Sequence, residues 1–159
     1  MHARIGLAFL AALALLPAHA ALAQNGGGAA PAPQWGPAPP FFPAGARFAV
    51  LQGDPSSSGV YTIRLEMPAG YTIKPHFHPT DEHVTVISGT FVVGMGDAVD
   101  VAHAQVLGAG GFITAPAQAH HYAMARGRTV VQVHGEGPFA ITYVNAADDP
   151  RGASGGSSK

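Results

Sequence analysis

Through the middle of the chain apolar residues fall at every second position, not at every third or fourth. "VYTIRLEM" (60–67) sets Tyr61, Ile63, Leu65 and Met67 against Thr62, Arg64 and Glu66, the pattern of a strand with one face on a core and the other toward water. Short runs of Val, Ile, Thr, Tyr and Phe follow between Gly and Pro punctuation: "HVTVISG", "TFVVGMG", "GFITAP", "HYAMA", "TVVQVHG" and "FAITYV". The pattern predicts an all-β domain over residues 44–147, an antiparallel sandwich or barrel. Its expected core is Tyr61, Ile63, Leu65, Val84, Val86, Val131 and Val133. "DAVDVAHAQVLGAG" (97–110) fits a short helix or a loop equally.

Both ends depart from this pattern. Residues 1–23 carry one charge at Arg4, an apolar run from Ile5 to Leu16 and then small residues ending Ala21-Leu22-Ala23, which reads as a secretory signal cleaved after Ala23. The run falls short of the roughly 20 apolar residues that cross a bilayer, so no stable membrane insertion is expected after cleavage. Without an Arg-Arg pair, export of an unfolded chain to the periplasm or medium is expected. Residues 24–43, rich in Gly, Pro and Ala, read as a flexible leader, and 148–159 as a flexible Gly/Ser tail. Bare aromatics are uncommon in a solvated linker, so Trp35, Phe41 and Phe42 are expected to dock the leader's end on the domain or on another subunit. A leader lying across a neighbour's edge strand makes a homodimer the default expectation.

Composition narrows the chemistry. The 159 residues contain no cysteine, which removes disulfides, thiolate ligands and a cysteine nucleophile. Removing the predicted signal takes Arg4 from the 8 Lys and Arg and leaves the 9 Asp and Glu, so the net charge moves from −1 to 7 − 9 = −2. So small a charge gives no electrostatic footprint for nucleic acid or anionic lipid.

The candidate chemistry is concentrated in "GYTIKPHFHPTDEHVTVISG" (70–89). His76 and His78, two apart in an extended segment, point to one side and can reach one ion. Pro79 ends that segment, Thr80-Asp81 supplies turn chemistry, and Glu82 re-enters beside the histidines. With Glu82 inward, Val84 and Val86 share its face and His83 points outward.

Gly70, His76, His78, Glu82 and Gly89 resemble the first motif of the cupins, G-x5-H-x-H-x3-E-x6-G, at every position. In "GGFITAPAQAHHYAMA", Gly110, Pro116 and His121 match the second, G-x5-P-x-G-x2-H-x3-N, while Gln118 stands for its glycine and Ala125 for its asparagine. The resemblance implies a single jelly-roll barrel and a metal held by His76, His78, Glu82 and His121. Adjacent His120 would face the other way. At Gln118 the turn must either change shape or accept strain of order 1 kcal/mol. Ala123 and Ala125, sharing the parity of His121, would leave open volume beside the ion.

Three imidazoles and a carboxylate suit one divalent first-row ion, Fe, Mn, Cu, Ni or Zn, with open positions left for water or substrate. Cupins include dioxygenases, decarboxylases, isomerases and proteins that only bind. The leading expectation is a metal-dependent oxidoreductase of dioxygenase type acting on a small oxygen-rich or aromatic molecule; the alternative is a non-catalytic binding or sensing module. No second acid or base is well placed, His134, Asp100 and His103 being surface or packing residues on this reading.

Overall fold

In the computed structural model, residues 32–152 are described; the predicted signal, residues 24–31 of the leader and 153–159 of the tail lie outside the described residues. The strands are β1 Gly36–Pro37, β2 Arg47–Gln52, β3 Gly59–Met67, β4 Thr72–Phe77, β5 Glu82–Ser88 and β6 Phe91–Met95. They continue with β7 Gln105–Leu107, β8 Phe112–Ala115, β9 His121–Ala125, β10 Thr129–Gly137 and β11 Thr142–Tyr143. Among the described residues the one helical element is a single 3-10 turn, Ala146–Asp148, whose Asn145 side chain accepts from the Ala147 N–H.

The alternation read in the sequence is realised in β3 and β10. Tyr61, Ile63, Leu65 and Met67 are buried, and Val131 and Val133 lie opposite Leu65 and Ile63. On the other side of β10, Val84 and Val86 of β5 face Val133 and Val131. Two antiparallel sheets result, ordered β1-β2-β3-β10-β5-β8 and β11-β4-β9-β6-β7, the two-Greek-key plan of a jelly roll. One apolar cluster joins their inner faces, with Ile63, Leu65 and Val84 from the first sheet and Ile73, Phe91 and Ala123 from the second.

Two glycines permit close approach. A Cβ on Gly94 would fall 2.1 Å from the Tyr122 hydroxyl, which donates to the Asp100 carbonyl and so ties the 97–104 loop to β9. A Cβ on Gly135, opposite Glu82, would crowd the Asp81 carbonyl at 2.8 Å and the Tyr61 hydroxyl at 3.0 Å.

The structure decides between the readings left open for three segments. Segment 97–110 is loop and turn around the short edge strand β7, which pairs with β6 through Phe91 and Leu107. The leader is packed structure from well before Ala44: β1 pairs with β2, Phe42 is buried, and Phe41 and Phe42 both pack on Phe139. The Tyr71 and Tyr143 hydroxyls donate to the carbonyls of Pro43 and Phe41, and Trp35 lies under the Arg47 guanidinium. These aromatics are therefore satisfied on their own chain, and the sequence-based reason for a leader covering a neighbour falls away. The tail, expected to be flexible from 148, holds a last contact at Arg151, which donates to the Asp149 carboxylate and to the Ile141 carbonyl.

Candidate metal centre

β4 and β9 run side by side, and their register sets His76 directly opposite His121. A bulge between Ile73 and His76 interrupts the strict alternation, so that Pro75 and His76 are both buried. His78 lies just past the end of β4, and Phe77 between the two ligand candidates stacks outward on His120. The Thr80-Asp81 turn brings Glu82 in as the first residue of β5, and the Asp81 carboxylate accepts from the Ala117 N–H, joining this turn to the one before His121.

His76, His78 and His121 come together, 2–3 % exposed, with one ring nitrogen of each lying within 4.8 Å of the others. Each Nδ1 faces a backbone carbonyl: Lys74 at 2.7 Å, Ala140 at 2.7 Å and Ala119 at 3.0 Å. A carbonyl only accepts, so Nδ1 carries the proton and Nε2 is the free ligand atom on each ring. The Nε2 atoms of His78 and His121 are buried without a hydrogen-bond partner. Orphaned nitrogens normally cost about 1–3 kcal/mol each, and a cation at their meeting point would satisfy both. The three histidines could hold a metal ion.

Glu82 closes the group, its Oε2 being 3.4 Å from His78 Nε2 and 3.6 Å from His121 Nε2. These separations are too long for good hydrogen bonds, so the carboxylate acts on the imidazoles chiefly by charge. Burial pushes His76 down to about 3, helped by repulsion from His121 and His78. Burial also disfavours charge on His78, but the Glu82 carboxylate outweighs it and holds His78 above 6.5. On Glu82, burial raises the pKa while His78 and His121 lower it further, and the net shift is downward.

Below the raised His78 value the metal-free His78 is protonated and pairs with Glu82, and there an ion must displace the His78 proton. The pair stabilises the metal-free fold fully below 6.5 and loses that contribution as pH rises through the raised His78 value. Metal binding has the opposite sign, strengthening with pH until His78 is neutral. Calorimetric titration in buffers of different ionisation enthalpy should find about one proton released per ion near pH 6, declining at higher pH.

His83 lies on the outer face, stacked on His134 at 4.9 Å and paired with the Thr114 hydroxyl at 3.0 Å. His120 points away from the cluster to Asp97 at 2.6 Å, and the exposed Asp100 and His103 pair with each other at 2.6 Å. Gln118 keeps the glycine-like backbone, φ 62°, the one non-glycine positive φ among the described residues. Its N–H donates to the His78 carbonyl at 2.9 Å and its side-chain amide to the same oxygen at 3.3 Å, coupling the two histidine-bearing turns. Gln118→Gly should shift the stability of the metal-free domain by less than about 1 kcal/mol in chemical denaturation, the strain relieved being offset by added chain entropy and by loss of the side-chain bond to the His78 carbonyl.

The four groups line a cavity of about 30 Å³. Every other lining side chain is apolar; Phe42, Phe139 and Ile141, supplied by segments near the two chain ends, are among those outside the core expected from sequence. The aromatic pair Phe41-Phe42 was the available signal for the first.

The sequence profile of the ChrR cupin-like domain matches residues 32–140, most of the chain. The chain belongs to the ChrR cupin-like family. No curated protein sequence matches it significantly. Solved structures show the same cupin fold at low identity. A proposed acetylacetone dioxygenase from Methylibium petroleiphilum PM1 is 22% identical over 74% of this chain and 79% of its own, with a TM-score of 0.58. The DMSP lyase DddQ from Ruegeria pomeroyi is 20% identical over 70% and 61%, with a TM-score of 0.56. An RmlC-like cupin from Shewanella frigidimarina is 16% identical over 65% and 83%, with a TM-score of 0.52. At these identities the likeness speaks for the fold of this cupin and leaves its chemistry to its own side chains.

Proposed function

We propose that this cupin is an exported metal-dependent oxidoreductase of dioxygenase type, in which His76, His78, Glu82 and His121 hold one divalent first-row ion and a small oxygen-rich or aromatic molecule is the substrate. The observation that carries the reading is the wall: apart from these four residues the cavity lining offers no acid, base or hydrogen-bonding side chain. Proton transfer by a separate side chain therefore has no candidate at the site. When bound, a redox-active ion would supply Lewis acidity and a meeting point for a chelated substrate and O₂. The apolar wall would admit O₂ and exclude bulk water, and Glu82 would offset part of the ion's charge. One solved neighbour is described as a proposed acetylacetone dioxygenase, which supports this chemistry on the same fold.

The test is substrate-dependent O₂ uptake by residues 24–159 reconstituted separately with iron, manganese, copper or nickel. Uptake with at least one metal is expected. Silence with all four would leave the second reading, a non-catalytic binding or sensing module, which the small cavity favours. Export predicts a mature N-terminus at Gln24, which the intact mass of protein from the periplasm or medium would report. A homodimer remains our proposal for the assembly, now resting on the edge strands β7 and β8. Its mass in solution decides it.

A further inference from the structure

We propose that the ligand taken at this centre is a small, singly charged oxygen chelator with apolar flanks, and that the cavity selects against dianions and polyols. The inference rests on the metal reading above and narrows its substrate class, setting aside the oxygen-rich and aromatic members.

Charge balance comes first. A divalent ion with the Glu82 carboxylate and three neutral imidazoles leaves one positive unit inside the cavity. A monoanion cancels it. A dianion would leave one negative unit, and nothing in the wall could offset that. All cationic side chains among the described residues, Arg47, Arg64, Lys74, Arg126, Arg128 and Arg151, lie outside the lining. Arg47 and Arg128 are paired with Glu66, Arg64 with Gln132, and Arg151 with Asp149, so these four are engaged elsewhere. Burying an uncompensated charge costs several kcal/mol even after relaxation.

Hydrogen bonding gives the same answer by a separate route. Beyond the ligand atoms that reach the ion, the lining offers aliphatic and phenyl groups only, among them Leu65, Phe91, Val131 and Ile141. Each further hydroxyl or carboxylate oxygen would lose its water without a replacement, about 1–3 kcal/mol apiece. Size closes the argument. At roughly 10–15 Å³ per water, a cavity of about 30 Å³ has room for two or three waters, or for a ligand with few atoms beyond its chelating oxygens.

The test uses zinc, which is redox-silent, so that binding is read without turnover. Elemental analysis first establishes one zinc per chain, and acetohydroxamate and oxalate are then titrated by calorimetry. Both are small and bind through two oxygens; the first binds as a monoanion with one methyl flank, the second as a dianion with four oxygens. Each affinity is divided by that of the same probe for free zinc in the same buffer. The ratio should be at least about tenfold higher for acetohydroxamate, the effect of roughly 1.4 kcal/mol of selective desolvation. Equal ratios, or a higher one for oxalate, would overturn the proposal, as would failure of both probes on a zinc-loaded protein, with the metal reading intact. Failure to take up zinc at all would sink the metal reading, and this inference with it.

Discussion

His121→Leu should abolish tight metal binding while the metal-free domain keeps its fold. Loss of a direct ligand should exceed the roughly 10–100-fold loss in affinity that follows removal of an outer-shell partner. The cost to the metal-free fold is small because contributions oppose each other. The variant loses the Nδ1 bond to the Ala119 carbonyl and one neighbour of Glu82, but removes a buried Nε2 that has no hydrogen-bond partner. We expect the metal-free stabilities to agree within about 1 kcal/mol. With ion at a hundredfold excess over Kd, the natural chain should gain about 2.7 kcal/mol and the variant nothing. Calorimetric melts with and without metal read both numbers. An unfolded His121→Leu would mean that the cluster is structural.

The second large effect is expected in the leader. A chain beginning at Ala44, where the sequence pattern places the domain boundary, should be less stable than one beginning at Ala32 by on the order of 5 kcal/mol. The longer chain keeps the buried Phe42, the packing of Phe41 on Phe139, and the two tyrosine hydroxyl bonds to the carbonyls of Phe41 and Pro43. A loss of that size is comparable to the whole stability of many domains, so the shorter chain should melt broadly or stay unfolded in urea titrations. Equal midpoints would show that the packed leader is dispensable. A Phe42→Ala variant of the longer chain should lose about 3–5 kcal/mol and separates the side chain from the rest of the segment.

The contrast between these two regions shows what the sequence makes legible. Alternation in 60–67 and in the valines of β5 and β10 is a local signal, and the sheets follow it. The grouping of His76, His78 and His121 was readable from the parity of the first two and from the second motif for the third. The bulge before His76 was not, because the extra residue leaves no mark on composition. Strand β7 is three residues at a sheet edge, and its pairing with β6 decides its form where its own pattern is ambiguous. The leader was legible in part: its aromatics called for docking, but how much of it packs was not. Proline and glycine report local stiffness and turn formation, but the burial of Phe42 depends on a surface completed about a hundred residues later. Gln118 is the mixed case: the turn kept the glycine's dihedral angle, so the residue took the strain and gained a side-chain bond to His78.

That late completion governs timing. The Tyr143 hydroxyl meets the Phe41 carbonyl across 102 positions, and Phe42 and Ile141 on either side of this clasp both face the cavity. The centre is enclosed only when the final strand docks against the chain's beginning. An ion arriving earlier finds the histidines open to water; one arriving later finds them 2–3 % exposed. Metal exchange in the finished protein should therefore be slow beside uptake during refolding, and the ion first captured would tend to be the one retained.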